Sequence, residues 1–513
     1  MESHSIHPES ARCTSKQMKA VWRMTMIKHF NSPCTKLLAV LMGIIFASSS
    51  ASADSKAVVM VYPAPAGMEL NNTFTVEVRV PGGEWHKLDV YDVRVDLHTL
   101  SHASFASFDF NDKVEVRVTA NKASIRSWEV RPKSYGIIAM VDGTVTNSIA
   151  FQLARPRNLS IEINGDRLHN LHLFANQLES NRPSASDTNV IYFGPGLHTD
   201  RQVIRVPSNK TVYLAGGAVV QGIIVTDDGA TNVTIRGRGI LDMTPWNEPK
   251  GYFIKGHTWQ AAAINLRWTT NALIEGIILK QHTDYAVMGG GASDVTIENL
   301  KCFSSHEWAD GIDMMSSSHV KIHNCFLRTS DDCIAIYGSR RDYHGNSSDW
   351  DVADSVLWAD KAHAIMVGVH GAYWADGDVI ENLRFHNLDV LENNEVTSNF
   401  WGAMAVTCGD KNTVRNLDFE NIRVEHIREA GGNLVRLTFG FFDQSTTLGQ
   451  RIENIHFKDI TYDGLAGSFI SGSPRHTISG VTFENLVING EHIKDAKQGK
   501  IALGENDSDV KFK

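Results

Sequence analysis

A short motif returns along the second half of the chain: a β-branched or aromatic residue, a polar residue, Asn, and then Leu or Ile. It occurs at Ile297–Leu300, Ile380–Leu383, Phe419–Ile422, Ile452–Ile455 and Phe483–Leu486, with variants at Ile274–Ile277 and Ile322–Cys325. From Gly276 to Asn299 is 23 residues (299 − 276), and from Asn299 to Asn324 is 25 (324 − 299). Self-similarity at such a period is typical of stacked repeats. The later spacings are longer, which loop insertions explain.

The repeats predict a right-handed parallel β-helix over residues 188–505. Each unit consists of short strands and turns without helical periodicity, with small apolar residues for the interior. Coils of this size hydrogen-bond to their neighbours at about 4.8 Å, and Asn side chains at the turns can stack as ladders. A leucine-rich repeat would show regular Leu spacing, and a propeller would need blades of about 40 residues with antiparallel hairpins.

Residues 54–180 lack this repeat and have a different sequence pattern, which predicts a small antiparallel β-sandwich. Four segments alternate apolar and polar residues with period two: Phe74–Val80, Val114–Val118, Ile149–Leu153 and Leu159–Ile163. Pro, Gly, Asn and Asp separate these segments, as expected for half-buried strands joined by turns. The polar stretch 179–189 is the expected linker. We therefore expect an all-β protein; the sandwich either packs against the following domain or binds carbohydrate.

The first 53 residues have the pattern of an export signal. Basic residues precede an apolar run, Leu37–Ala47, and small residues follow up to Ala51-Ser52-Ala53. This order is that of a cleavable signal peptide, so residues 1–53 are set apart as an N-terminal extension and signal. The apolar run is too short to span a bilayer, which excludes stable membrane insertion. We expect a secreted or periplasmic protein that begins near Asp54.

Charge and cysteine content exclude several classes of partner and cofactor. The net charge of −9 is unfavourable for binding a nucleic-acid backbone. Four cysteines remain after residue 53: Cys302, Cys325, Cys333 and Cys408. They form no CxxC pair and no zinc-type spacing, so we expect no metal and no cofactor. Alternation predicts that Cys333 is a buried small residue, whereas a pairing of Cys302 with Cys325 and the oligomeric state stay open.

Acidic residues concentrate on two consecutive predicted coils. Asp310 and Asp331 are 21 residues apart (331 − 310), and Asp332 follows directly. Since equivalent positions on adjacent coils stack, the three carboxylates should lie together. Crowding raises the pKa of at least one of them, which is the condition for a general acid near neutral pH. From spacing alone, a solvated acidic turn and a calcium site built from carboxylates are the alternatives.

The same region resembles a known enzyme family. Asp310-Gly-Ile-Asp313, then Ser330-Asp-Asp-Cys-Ile-Ala-Ile336, then His363 in a strand of small residues are similar to the motifs of the polygalacturonase family, glycoside hydrolase family 28. A related family of dextranases and isopullulanases, family 49, shares the β-helix and adds an N-terminal sandwich. The repeat pattern of residues 188–490 is similar to that of the family, and the motifs between residues 308 and 371 are specific to it.

The resemblance implies a mechanism and a role for each residue. Asp331 would be the general acid that protonates the leaving oxygen. Asp310 and Asp332 would together activate the attacking water, with inversion at the anomeric carbon. His363 would support the acids. The implied partner is a polysaccharide or oligosaccharide.

The chain departs from the pectinase pattern at three places. Trp308-Ala309 replaces Asn-Thr before the first acid, and alanines replace the glycines that flank His363. The pectinases have an Arg-Ile-Lys strand that grips a uronate, whereas the corresponding stretch here, Gly402–Cys408, has neither base. The segment Ser355–Gly368 instead resembles the dextranase strand in which a Trp precedes the His. A neutral α-glycan is therefore as compatible with the sequence as pectin.

Basic residues nearer the acids could replace the missing pair: Arg340, Arg341 and Lys361. Four aromatic residues near the acids are candidates for stacking on sugar faces: Trp308, Tyr373, Trp374 and Trp401. Two other functions are open. A polysaccharide lyase would need a base and usually a cation beside a uronate. A non-catalytic β-helix would bind carbohydrate without turnover.

Overall fold

The structure is a computed structural model that describes residues 57–200, 203–246, 262–398, 400–428, 432–440, 445–504 and 509–513. The expected signal peptide, residues 1–53, lies outside the described residues. Within the described ranges, no helix combines the length and apolar character needed to cross a membrane. Helical structure there is limited to two 3-10 turns, Lys133–Tyr135 and Thr244–Trp246.

Residues 57–177 form two packed sheets. One contains Val59–Val61, Tyr91–Val95, Ser101–Phe110, Trp128–Arg131, Arg157–Ile163 and Leu171–Gln177. The other contains Phe74–Arg79, His86–Leu88, Val114–Ala120, Met140–Val141 and Ser148–Leu153. Alternate residues of Phe74–Arg79 are buried, as the period-two pattern predicts. All pairings are antiparallel except one, because Leu171–Gln177 runs parallel to Ser101–Phe110.

The described residues after 189 form a parallel β-helix, which confirms the expected fold. Its walls contain Val190–Phe193, Gly196–His198, Thr211–Leu214, Ala218–Gln221, Thr231–Gly237, Ile240–Asp242, Thr270–Glu275, Ile278–Lys280, Ser293–Glu298, Lys301–Phe303, Ser318–His323, Phe326–Thr329, Ser347–Ala353, Val356–Ala359, Val379–Glu392, Thr413–Val424, Arg451–Tyr462, Thr477–Glu484, Val487–Ile488, Glu491–His492 and Val510–Phe512. The last strand lies past residue 505, the expected end of the domain.

One sheet of the helix carries the acidic motifs, and we call it the site sheet. Its strands are Val203–Val206, Ile223–Thr226, Ile264–Arg267, Val287–Gly290, Ile312–Met315, Ile334–Tyr337, Ile365–Gly368, Met404–Cys408, Asn433–Phe439, Gly467–Ser471 and Ile501–Leu503. Side chains alternate between its two faces. Ile312 and Met314 point into the coil interior and join the main apolar core, whereas Asp313 and Met315 lie on the outer face.

Stacked identical residues stabilise successive coils. Asn416 donates a side-chain hydrogen bond to Asn382 at 3.1 Å, and Asn454 donates to Asn416 at 3.2 Å. These residues have positive φ angles of 57–58°, a turn conformation that Asn tolerates better than most residues. Inside the coils, five phenylalanines stack with ring centroids 4.9–5.2 Å apart: Phe385, Phe419, Phe457, Phe483 and Phe512. The recurrent Asn therefore serves the turns, as the sequence predicts.

Buried ion pairs join the sandwich to the β-helix. Arg131 of the sandwich lies 2.7 Å from Glu425 and 3.2 Å from Glu392 of the helix, and 2.9 Å from Glu162. Aromatic rings from both sides pack around the same boundary: Tyr91, Phe105 and Phe174 with Phe303, Phe326 and Trp358. A buried charge network of this kind is strongly destabilised if one partner is removed. The sandwich thus has an extensive structural contact with the helix.

Candidate active site

The site sheet stacks the acidic motifs in register. Ile312 pairs with Ile334, and Ile334 with Ile365. Asp310, Asp332 and His363 each lie two residues before these positions, so they occupy equivalent places on three consecutive coils. The in-register partner of Asp310 is therefore Asp332, 22 residues away (332 − 310), rather than Asp331. Asp331 precedes it at the edge of the same coil.

The three carboxylates of Asp310, Asp331 and Asp332 form a close group. One carboxylate oxygen from each lies within 4.8 Å of those from the other two. Asp310 and Asp332 are buried, and Asp331 is partly exposed. The backbone N–H of Gly311 donates to the carbonyl of Asp332 at 2.8 Å, which holds the coils together at this point. A methyl group on Gly311 would lie 2.2 Å from the carbonyl oxygen of Cys333, so only glycine fits there.

His363 holds Asp332 through two hydrogen bonds. Its Nδ1 lies 2.6 Å from Oδ1 of Asp332, and its backbone N–H donates to the same oxygen at 3.0 Å. Its Nε2 donates to the carbonyl oxygen of Phe400 at 2.5 Å. Burial lowers the pKa of His363, but the Asp332 carboxylate outweighs it and the pKa rises to about 9. An imidazolium therefore faces Asp332 at neutral pH.

The environments of the other two acids favour their protonated forms. Burial raises the pKa of Asp331 to about 7, and the neighbouring Asp332 adds to the rise, although Lys361 opposes it. Burial also raises the pKa of Asp310 well above its ordinary value, with further contributions from Asp313, Asp331 and Asp332. Pairs of acids whose environments separate their protonation states are typical of acid–base catalysis.

A fourth carboxylate, Asp313, belongs to the site although the sequence analysis assigned it no role. It is fully buried on the outer face of the sheet, where its carboxyl group interacts with that of Asp310. Burial raises its pKa well above the ordinary range, and Arg340, 3.8 Å away, opposes the rise. Strand alternation from the buried Ile312 would have placed Asp313 on this face. The Arg340 guanidinium lies over the rings of Tyr337 and Tyr285, at 4.8 and 5.7 Å.

His282 is a second residue that the motifs did not reveal. Its Nε2 lies 2.8 Å from the carbonyl oxygen of Asp310. Burial lowers the pKa of His282 to about 3, so the ring is neutral and donates from Nε2. The contact fixes the backbone that carries Asp310. No local sequence signal identifies it, because the contact spans a coil.

The four aromatic residues predicted to stack on sugars lie beside two different parts of the site sheet. Trp308 is 55% exposed and precedes Asp310 by two residues, and Trp401 is partly buried beside Phe400, the partner of His363. Tyr373 and Trp374 pack edge to face at 5.0 Å. They follow the strand Ile365–Gly368, at its opposite end from His363. One pair thus lies near the acids and the other at the far side of the sheet.

The cysteines take structural places, whereas the basic residues interact with acidic groups: Lys361 with Asp331 and Arg341 with Asp284. All four described cysteines are free and buried, and Cys302 aligns with Leu327 rather than with Cys325. Cys333 lies in the core, as alternation predicts. Arg341 lies 3.6 Å from Asp284 and donates to the Tyr285 hydroxyl at 3.0 Å.

Comparison with known proteins decides the family. The model of glycosyl hydrolases family 28 matches residues 209–502, more than half of the chain and the whole of the acid-bearing region. The chain belongs to glycosyl hydrolase family 28. The match confirms the resemblance that the acidic motifs indicated.

Individual relatives of this family 28 chain are distant. A probable endopolygalacturonase D of Neosartorya fischeri is 25% identical over 240 residues, covering 45% of this chain and 44% of the relative. An exopolygalacturonase of Cochliobolus carbonum is 22% identical over 284 residues, covering 50% of this chain and 60% of the relative. The chain spans about half the length of the curated relatives it matches.

A solved structure shares the whole architecture. Dex49A from Penicillium minioluteum superposes with a TM-score of 0.61 at 15% identity, covering 88% of this chain and 96% of that one. At this identity the similarity shows the fold alone. The family 28 domain therefore carries its N-terminal sheets in an arrangement also found in Dex49A.

Proposed function

We propose that this chain is a secreted, inverting glycoside hydrolase that cleaves a polysaccharide or oligosaccharide with Asp331 as general acid. The observation that carries the proposal is the grouping of Asp331 with Asp310, Asp332 and an imidazolium at His363. Asp331, with a pKa near 7, keeps a proton to give. Asp332 accepts hydrogen bonds from the ring Nδ1 and the backbone N–H of His363.

The proposed reaction is a single displacement. Asp331 gives its proton to the glycosidic oxygen as the bond from that oxygen to the anomeric carbon breaks. A water molecule attacks the anomeric carbon, and its proton passes to the Asp332 carboxylate while Asp310 orients it. The protein ends with the proton on Asp332 in place of Asp331, and exchange with solvent restores the starting state. General acid and base steps of this kind each contribute about 10²–10⁴-fold.

Carboxylate spacing does not by itself decide the stereochemistry. Inverting enzymes in general separate the two carboxyl groups by about 6.5–9.5 Å, and retaining enzymes by about 5–5.5 Å. The shortest oxygen separations here are within 4.8 Å, on the short side of both ranges. Two carboxylates are sufficient for either mechanism, so the support for inversion comes from the resemblance to polygalacturonases.

A screen for new reducing ends tests the hydrolase proposal. Pectic polysaccharides, dextran, pullulan and algal galactans are incubated with the parent chain, with Asp331→Asn, and with Asp294→Asn as a matched control on an exposed wall position. We expect one substrate class to release reducing ends with the parent and the control but not with Asp331→Asn. Ultraviolet-absorbing unsaturated products would establish a lyase, and carbohydrate binding without turnover would establish a non-catalytic binding protein.

The N-terminal pattern supports export of the mature chain. The order of basic, apolar and small residues ends at Ala53, and the mature protein would begin near Asp54. N-terminal sequencing of protein collected outside the cytoplasm should find this start. Recovery only inside the cytoplasm, with residues 1–53 intact, would contradict export.

A further inference from the structure

The strand Asn433–Phe439 carries an arginine on the same outer face as the acids. Arg436 aligns with Ala405, which aligns with Met366 on the coil of His363. Neighbouring strands lie about 4.8 Å apart, so Arg436 is about 10 Å from the His363 coil and about 14 Å from the Asp332 coil along the helix axis. Arg436 therefore lies on the same face as the acids, displaced from them along the helix axis and away from the place of the scissile bond.

Arg436 has no charged partner among the described residues. The residue is 9% exposed, and its Nε has no hydrogen-bond acceptor in the same part of the chain. Its Nη1 reaches the carbonyl of Ser398 at 3.4 Å and the side chain of Asn433 at 3.3 Å, both at the long limit of a hydrogen bond. Burial lowers its pKa to about 10, and no carboxylate within the described ranges offsets this. The guanidinium is still charged at neutral pH.

Other buried arginines of this chain have carboxylate partners. Arg131, Arg238 and Arg328 each have a carboxylate oxygen at 2.7–2.9 Å. A buried charge without a partner is costly, so its presence needs an explanation. Packing of the guanidinium 4.6 Å above the Phe469 ring offsets part of this cost, but Nε still has no acceptor among the described residues.

A second unused donor lies in the adjoining segment. The indole Nε1 of Trp401 is buried and has no acceptor among the described residues. The next residue, Gly402, touches Arg436: a methyl group there would lie 3.0 Å from the Cβ of Arg436. The residue before Trp401, Phe400, accepts the hydrogen bond from His363. The segment thus connects Arg436 with the acid cluster.

We propose that Arg436, with the indole of Trp401, forms a subsite for an anionic substituent of a sugar unit bound away from the scissile bond. The substituent is a carboxylate or a sulfate, because a guanidinium matches the paired oxygens of both groups. The proposal rests on the glycoside hydrolase function of the face that carries the acids. It gives the chain a basic contact in place of the Arg-Ile-Lys strand that its sequence lacks.

Binding measurements on inactive protein test the subsite. Titration calorimetry in the Asp331→Asn background uses three probes of equal length: oligogalacturonides, their carboxyl-reduced neutral forms, and sulfated galactan oligosaccharides. The variants are Arg436→Gln, Arg436→Lys and, as a matched control, Arg384→Gln, an exposed arginine on a wall strand. We expect an acidic probe to bind more tightly than the neutral one, and Arg436→Gln to weaken it about tenfold to a hundredfold.

The two acidic probes identify the anion, and the neutral probe controls for folding. Arg436→Lys should retain part of the preference for the acidic probe, and Arg384→Gln should retain all of it. Equal binding of acidic and neutral probes by the parent, or an equal loss of both in Arg436→Gln, would overturn the subsite. Asp331-dependent hydrolysis of a neutral glucan, unchanged by Arg436→Gln, would overturn it while leaving the hydrolase function standing. Arg436-dependent anion binding without hydrolysis of any polysaccharide would instead remove the hydrolase function.

Discussion

Replacement of Asp331 by Asn should abolish turnover and stabilise the fold above neutral pH. The amide keeps the shape of the side chain, and its oxygen can still accept the 3.0 Å hydrogen bond from the backbone N–H of Asp332. It has no proton to give to a leaving oxygen, so kcat should fall by about 10²–10⁴-fold. Asp310→Asn and Asp332→Asn should be nearly as inactive, and the double variant of Asp331 and Asp332 little worse than either single variant.

The stability change follows from the raised pKa. Burial raises the pKa of Asp331 to about 7, whereas an unfolded Asp titrates near 3.9. A carboxyl group whose pKa is raised by folding destabilises the native state above its unfolded pKa, and the penalty grows until pH reaches the folded pKa. One pKa unit is worth about 1.4 kcal/mol. Because Asp331 keeps some contact with solvent, we discount the full shift and expect the Asp331→Asn variant to gain about 2 kcal/mol at pH 8.

Thermal unfolding at two pH values separates this gain from other effects. At pH 8 the Asp331→Asn variant should melt about 2 °C higher than the parent, given an unfolding entropy of about 2 cal/mol/K per residue. Below the pKa of the unfolded Asp, the side chain at position 331 is neutral in both proteins, so the difference in melting temperature should disappear. A variant that kept most of its activity would refute the assignment of the acid. A variant that melted lower at both pH values would show that the carboxyl group is structural.

Four further outcomes follow from the site and the domain contact. The alkaline limb of kcat/KM should fall near pH 7, where the folded Asp331 loses its proton; a limb near pH 9 would point to His363 instead. His363→Ala should lower kcat by only about ten- to hundredfold, because it removes a charge-assisted hydrogen bond and leaves the acids; a loss equal to that of Asp331→Asn would make His363 essential. Dialysis against EDTA should leave activity unchanged, and a loss that calcium restores would assign Asp310, Asp331 and Asp332 to a metal. Arg131→Met should destabilise the chain by about 3–5 kcal/mol in denaturant unfolding, since it removes the cation that Glu162, Glu392 and Glu425 share; an unchanged midpoint would refute this.

Local patterns were sufficient to predict the fold because each repeat contains the residues of its own turn. The recurrent Asn marks positive-φ turns, and the apolar positions around it mark the coil interior. The acid cluster was predictable for the same reason, since stacking brings equivalent positions together. The sequence placed Asp310 beside the doublet Asp331-Asp332 without choosing between the two, because spacing alone does not distinguish them; the strand register aligns Asp310 with Asp332.

Contacts between distant coils escaped the sequence analysis. His282 reaches the Asp310 backbone across a coil, and the isolation of Arg436 within the described part of the chain is visible only when its neighbours are known. The buried contact of Arg131 with glutamates more than two hundred residues away has no local signature either. Alternation within the strand Ile312–Met315 would have revealed Asp313, which the motif contained without an assigned role.

The anomeric configuration of the first product tests the central claim most directly. Proton NMR, recorded within the first minutes of hydrolysis of the substrate found in the screen, distinguishes the two anomers before they interconvert. The proposed single displacement, with Asp331 as acid and Asp310 and Asp332 at the water, predicts that the newly formed reducing end has the configuration opposite to that of the cleaved bond. A product that retains the configuration would contradict the mechanism and make one of these aspartates a nucleophile.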